Sequence, residues 1–100
     1  MKKIKLVVVG CAGRMGQQLI KEMQNFKNMD LIAAIEKKNS PNINKNIKKI
    51  KITSDKEKAF RKTDTIIDFS LPESTLETVK YATKLKKKIV IGTTGLNANQ

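Results

Sequence analysis

The chain is predicted to be an α/β protein built on a doubly wound parallel sheet, and three observations predict it. Near-continuous apolar runs, the mark of strands buried on both faces, recur along the chain. Stretches with helical apolar spacing lie between them, and strand–helix alternation throughout implies right-handed crossovers between parallel strands. The first apolar run ends in a turn carrying Gly10, Gly13 and Gly16 at a spacing of three.

Taken in order, residues 3–9 are the first strand. A helix follows from Gly13 to about Lys27, with Leu19, Ile20, Met23 and Phe26 expected on its buried face. Asn28-Met29-Asp30 is the turn out of it, with Met29 packed under the second strand, residues 31–36. The stretch 37–49 is the least ordered by composition. Asn39-Ser40-Pro41-Asn42 is a turn, and Ile43, Ile47 and Ile50 are separated as on a helix but lie among Asn and Lys. Residues 49–53 alternate as a short strand through Ile50 and Ile52. Ser54 or Asp55 caps a short helix ending near Arg61. Residues 65–69 are a strand. Pro72-Glu73-Ser74 opens a helix in which Thr75, Leu76, Val79, Ala82 and Leu85 recur, and Lys86-Lys87-Lys88 ends it, where cations suit the helix dipole. Residues 89–91 are the last strand, 92–95 a loop, and Asn97 the start of another helix.

A length of 100 residues bounds the chain to one domain with one core, and aromatics at 4% make that core aliphatic. The formal charge of +12 invites a nucleic-acid reading, but only Arg14 and Arg61 are arginines, and no aromatic platform, zinc motif or recognition helix accompanies the lysines. No specific nucleic-acid partner is expected. An anionic cofactor and a dicarboxylate would feel the same basic field. Cys11 is the sole cysteine, so no internal disulfide forms. No signal peptide is evident and no run approaches the roughly 20 apolar residues of a membrane span. The chain therefore reads as cytoplasmic, without a membrane partner or a bound metal.

Strand, glycine turn and helix together form the context of a dinucleotide site of the Rossmann type. Gly10 allows the sharp turn off the strand. Gly13, lacking Cβ, lets a pyrophosphate approach the backbone, and Gly16 brings the helix close to the strand. Gly10, Cys11, Ala12, Gly13, Arg14 and Met15 are thus the candidate phosphate loop, at a helix N-terminus that favours anions. Arg14 is either a phosphate or adenosine contact or a solvated first-turn arginine, and Met15 is expected to fix the loop by packing. Cys11 is either a space-filling small residue or a thiol whose pKa the helix N-terminus lowers, open to alkylation unless the cofactor covers it. Glu36, twenty residues beyond Gly16, is placed to accept hydrogen bonds from the adenine ribose. Lys37 and Lys38 follow as attractors for a 2′-phosphate or as ordinary solvated lysines. Dual use of NADH and NADPH is expected. Phe69 lies against the cofactor or in the core, Ser70 meets a phosphate or ribose, and Asp68 is read as structural, since an acid inside a strand needs a partner. Gly92-Thr93-Thr94-Gly95 is a strand-end loop open to a flat ring, or a tight turn with capping threonines.

Four segments in register resemble the dihydrodipicolinate reductases, the 4-hydroxy-tetrahydrodipicolinate reductases of lysine and diaminopimelate synthesis. They are Gly10-Cys11-Ala12-Gly13-Arg14-Met15-Gly16, Ala33-Ala34-Ile35-Glu36, Ile67-Asp68-Phe69-Ser70-Leu71-Pro72-Glu73 and Ile91-Gly92-Thr93-Thr94-Gly95. The resemblance implies a cofactor domain over residues 1–100 of an NAD(P)H-dependent oxidoreductase that gives a hydride to a cyclic dicarboxylate. It implies that the backbone at Gly92 and Thr93 meets the nicotinamide amide, and that Thr94 meets a substrate carboxylate. Lys37 stands where the family often has an arginine. The family's substrate domain, with its histidine pair and proton donor, has no counterpart in these 100 residues, which contain no histidine. No catalytic residue is assigned here, and the chain alone is expected to be a piece of the cofactor domain, inactive by itself. The resemblance also implies a homotetramer built through the other domain. The rival readings are the cofactor domain of another amino-acid-pathway dehydrogenase and a nucleotide-binding module without catalysis.

Overall fold

The computed structural model describes residues 3–23 and 25–92. Its elements are β1 (Ile4–Val9), α1 (Arg14–Met23), β2 (Met29–Ile35), β3 (Asn46–Ile47), β4 (Ile50–Thr53), α2 (Lys56–Arg61), β5 (Thr65–Asp68), α3 (Pro72–Lys84) and β6 (Lys88–Ile91). The six strands form one sheet in the order β3-β4-β2-β1-β5-β6. All neighbours are parallel except β3 and β4. The expected doubly wound sheet is present, with β1 central and the chain crossing to opposite sides of it.

The apolar runs serve two cores because side chains alternate across a strand. Val7, Val9, Ala33, Ile35 and Ile66 face α2 and α3, where Ala59, Phe60 and Ala82 complete one buried cluster. Phe60 meets Tyr81 edge-to-face, with ring centroids 6.4 Å apart. Val8, Ala34 and Ile52 face the other way, onto Cys11 of the loop and Ile20 of α1. The parallel register brings Val9 level with Ile35 and with Asp68, and Asp68 level with Ile91. The carboxyl ends of four strands, with Thr53 of β4 beside Ile35, therefore meet along one rim of the sheet, the position of the ligand crevice in doubly wound folds.

Three expectations need correction. α1 ends at Met23, and Phe26, expected on its buried face, is 49% exposed. Asn25 N and Phe26 N donate to Glu22 O and Met23 O, tight i−3 bonds that close the helix into a turn. Second, Ile43, Ile47 and Ile50 lie on no helix. Lys48 and Lys49, with φ of 48° and 69°, form the two-residue turn of a hairpin between β3 and β4. The three isoleucines pack against the α1 side of the sheet. Third, α3 buries Thr75, Thr78 and Ala82, while Leu76 is 61% exposed. The helix is turned so that the Thr75 hydroxyl reaches the buried Asp68 carboxylate at 3.1 Å.

The other elements fall close to expectation. Asp55 caps α2, its carboxylate accepting from Lys58 N at 3.0 Å, and Met29 opens β2 half-buried. The predicted elements beyond Gly92 lie outside the described residues. Among the described residues no helix is long and apolar enough to cross a membrane.

Candidate functional site

Beyond Val9 the chain turns at Gly10, whose φ of +82° suits glycine. Gly10 N and Cys11 N both donate to Ile35 O, at 2.8 and 3.2 Å, tying the turn to the end of β2. A Cβ on Gly10 would lie 2.9 Å from Phe69 C and Ser70 N, so the turn runs against the chain leaving β5. A Cβ on Gly16 would collide with Gly10 O and stand 2.9 Å from Cys11 Cα. That glycine lets α1 rest on the loop.

Gly13 is different. It is exposed, and its nearest neighbour to an added Cβ would be Gly10 O at an ordinary 3.5 Å. Nothing inside the protein demands a glycine there. The open space lies over the start of α1, whose first-turn N–H groups have no partner within the helix and present a partial positive charge. This arrangement fits a phosphate group approaching from outside.

Glu36, half-buried at the end of β2, crosses to the loop. Its Oε2 accepts from Ala12 N at 2.9 Å, and its own N–H donates to Thr53 O at 3.0 Å. The carboxylate thus joins the ends of β1, β2 and β4. Around it opens a cleft of about 800 Å³, within the usual range for small-molecule sites. Val9, Gly10, Ala12 and Gly13 line it from the loop, Glu36, Lys37, Lys38 and Asn42 from beyond β2, Ser54 and Lys56 from the start of α2, and Phe69, Ser70, Leu71, Glu73, Ser74, Glu77 and Tyr81 from β5's end and α3.

The remaining sequence candidates divide. Phe69 lines the cleft, and its ring edge occupies the place a Cβ on Gly92 would take. Phe69 also packs on the α1-side core, as the core reading expected. Gly92 N donates to Asp68 O at 2.8 Å, which sets the chain at that end of the rim. Thr93, Thr94 and Gly95 lie outside the described residues. Arg14 is absent from the cleft wall. It borders a second groove with Gln17, Gln18, Lys21, Ile47 and Lys48. Met15 does not fix the loop by packing, being 54% exposed.

For Cys11 the space-filling reading is the one the structure supports, and the lowered thiol pKa is not. The residue is fully buried, and its thiol is pushed up to about 12, first by burial and then by the nearby Glu36 carboxylate. The side chain packs under the loop as a small apolar group. Desolvation and a neighbouring negative charge outweigh the pull of the helix N-terminus.

Asp68 is structural, as expected. Its Oδ1 accepts from Ser70 N at 2.7 Å, from the Ser70 hydroxyl and from Thr75 Oγ1, which latches the β5–α3 turn. The Ser70 proton is directed at Asp68 rather than into the cleft.

Sequence reasoning missed Lys56. It opens α2, is 7% exposed, donates from Nζ to Ser74 O at 2.9 Å and Ser74 Oγ at 3.0 Å, and forms an ion pair with Glu77 Oε1 at 3.0 Å. One lysine among many carries no sequence signal, and its partners lie on another helix.

The family model for dihydrodipicolinate reductase, N-terminus, matches residues 4–100. A 4-hydroxy-tetrahydrodipicolinate reductase of Pelagibacter ubique is 53% identical over 100 residues, covering 100% of this chain and 38% of that protein. Its counterpart in Buchnera aphidicola is 39% identical, over 100% of this chain and 40% of that protein. The chain thus spans about two-fifths of the length of these curated relatives. A solved structure of dipicolinate-bound dihydrodipicolinate reductase from Paenisporosarcina shares the fold, with a TM-score of 0.79 and 23% identity over 97% of this chain and 40% of that one.

Proposed function

The chain belongs to the dihydrodipicolinate reductase N-terminal family, and from that premise we propose that it binds NADH or NADPH as the cofactor domain of a 4-hydroxy-tetrahydrodipicolinate reductase. The reaction is hydride transfer to a cyclic dicarboxylate in lysine and diaminopimelate synthesis, in the cytoplasm. The substrate and the proton are met by the part of the relatives' length that this chain does not span, and the homotetramer is assembled there too.

The dinucleotide, when bound, supplies the hydride. The chain's own residues hold it. The first-turn amides of α1 and the open backbone at Gly13 take the pyrophosphate. Glu36 accepts from the ribose hydroxyls, and Lys37 and Lys38 attract a 2′-phosphate when one is present. Phe69, backed by Gly92, stands at the β5 end of the cleft, and the family resemblance assigns Thr93 to the nicotinamide and Thr94 to a substrate carboxylate. Cys11 and Met15 contribute backbone to the loop. Arg14 steers anions from its rim, and a neutral or cationic protein surface around the cleft suits a cofactor with two phosphates. Neither nucleic acid nor membrane enters this reading.

The observation that supports it most is Glu36. Its carboxylate bonded to Ala12 N makes the ribose acid and the glycine loop one continuous wall. Calorimetric titration of the chain with NADH and NADPH at physiological salt tests it, with Gly13→Asp as control. That residue is exposed and free of internal crowding, so the variant is expected to fold and to lose binding. Saturable binding abolished in the control is the expected result. A folded chain that binds neither dinucleotide overturns the reading.

A further inference from the structure

We propose that Glu77, oriented by Lys56, selects the base of the dinucleotide, favouring adenine because its amino group donates a hydrogen bond. The proposal rests on the cofactor reading above and adds to it a specificity residue and a positioning residue on α3 and α2.

Lysine is almost never buried without partners. Lys56 is 7% exposed although it borders the cleft. Two hydrogen bonds to Ser74 O and Ser74 Oγ and an ion pair with Glu77 Oε1 turn the ammonium toward α3. Lys56 is therefore committed to α3. Its effect on a ligand passes through Glu77.

Glu77 is 59% exposed and lines the same cleft. Its Oε1 is held by Lys56, and its Oε2 has no protein partner among the described residues. An ionised carboxylate only accepts. The cleft wall thus carries an acceptor oriented by its ion pair with Lys56. Leu71, 64% exposed, offers an apolar surface to the same cleft.

The topology places this wall at the base end. Lys56 follows β4, which pairs with β2, and Glu36 N bonds to Thr53 O across those two strands. Lys56 and the Glu77 carboxylate it contacts therefore stand beyond the ribose acid on the β4 side. Adenine carries an exocyclic amine that donates. Hypoxanthine carries a carbonyl oxygen there, which accepts and would face the carboxylate. Setting two acceptors against each other rejects the wrong base more strongly than a missing contact would.

Reduced nicotinamide hypoxanthine dinucleotide differs from NADH only in the base. Titrating the chain with both compounds reads base selection apart from everything the two share. The wild type is expected to bind NADH about tenfold more tightly, the factor that a hydrogen bond to a charged group carries. Glu77→Gln, whose amide can donate as well as accept, brings the ratio near one while NADH binding persists. Lys56→Met lowers the ratio in the same direction, and Lys56→Arg, which keeps donors in place, restores part of it. A merely structural role would weaken both compounds equally and leave the ratio unchanged. Glu77 is largely exposed, so Glu77→Gln is expected to fold even where Lys56→Met does not. Equal binding of the two compounds by the wild type, or an unchanged ratio in Glu77→Gln, overturns the proposal and leaves the cofactor reading standing. Binding of neither compound overturns both.

Discussion

The cleft has two walls made in different ways. The loop wall, from Gly10 to Gly16 with Glu36, is mostly backbone. Its shape follows from where Cβ atoms are missing and from a turn with φ of +82° at Gly10. The α2–α3 wall is made of side chains, and Lys56 holds it by reaching across to Ser74 and Glu77. A backbone-built wall is specified by residue type at fixed spacing, because only glycine satisfies it. A side-chain-built wall depends on which helices end up side by side.

The largest effects expected break the loop wall from within. Gly16→Ala places a methyl against Gly10 O, and Gly10→Ala adds a Cβ at positive φ 2.9 Å from Phe69 C. Both contacts are with backbone that cannot step aside, so each variant should lose about 3 kcal/mol or more in denaturant unfolding. Gly13→Ala, in the same motif, should stay within about 0.5 kcal/mol of wild type yet weaken NADH binding at least tenfold. If Gly13→Ala unfolded like the other two, Gly13 too would be structural and the ligand argument from it would fail.

Next comes the other wall. Lys56→Met removes the ammonium and leaves Ser74 and Glu77 to solvent, at a cost of about 2 kcal/mol. Thermal unfolding followed by circular dichroism checks this. A loss below about 0.5 kcal/mol, the scale of an ordinary surface change, would mean that the two helices are held mainly by the apolar contacts of Phe60, Tyr81 and Ala82.

How much was legible follows the same division. The sheet, the glycine turn, Glu36 and the Asp55 cap were all visible, since each depends on a local pattern. The β3–β4 hairpin was not, because Lys48 and Lys49 adopt positive φ without the Asn-Gly chemistry that usually announces such a turn. The phase of α3 was misjudged at Leu76 because Asp68 on β5 draws Thr75 inward. Lys56 was invisible for the reason that its partners lie 18 and 21 residues away on another helix. Cys11 read correctly as a space-filling residue, while the burial that raises its thiol pKa had no mark in the sequence.

Cys11 also gives the loop wall a pH signature. Its thiol has an ordinary value of 9.0 and is raised to about 12 in the folded chain. The unfolded chain therefore releases that proton first. The contribution of the neutral thiol is fully present below pH 9 and is lost as pH rises toward 12. Denaturant unfolding from pH 8 to 11 should show wild-type stability falling more steeply than that of Cys11→Ala, which shares every other titrating group. N-ethylmaleimide should label Cys11 in denaturant and spare it in the folded chain at pH 8. Rapid labelling of folded protein would mean that the loop opens far more readily than its contacts indicate.

The smallest effect isolates what burial adds to the α2–α3 wall. Glu57, next to Lys56, also bridges the two helices, accepting from Arg61 at 3.2 Å and from Lys84 at 3.3 Å. It does so in solvent, where such pairs contribute little and are screened by salt. Arg61 and Lys84 hold its pKa below the ordinary carboxylate value. Whatever it contributes is present at neutral pH and lost as pH falls through the carboxylate range. Glu57→Gln should leave the melting temperature at pH 7 nearly unchanged in 0.15 M salt, with a small decrease only at low ionic strength. It should not alter the ratio of NADH to hypoxanthine-dinucleotide binding. Lys56 and Glu57 join the same pair of helices from adjacent positions, so a matching loss in both variants would assign the effect to helix docking. A loss confined to Lys56 would assign it to the buried ammonium and the acceptor it holds in the cleft.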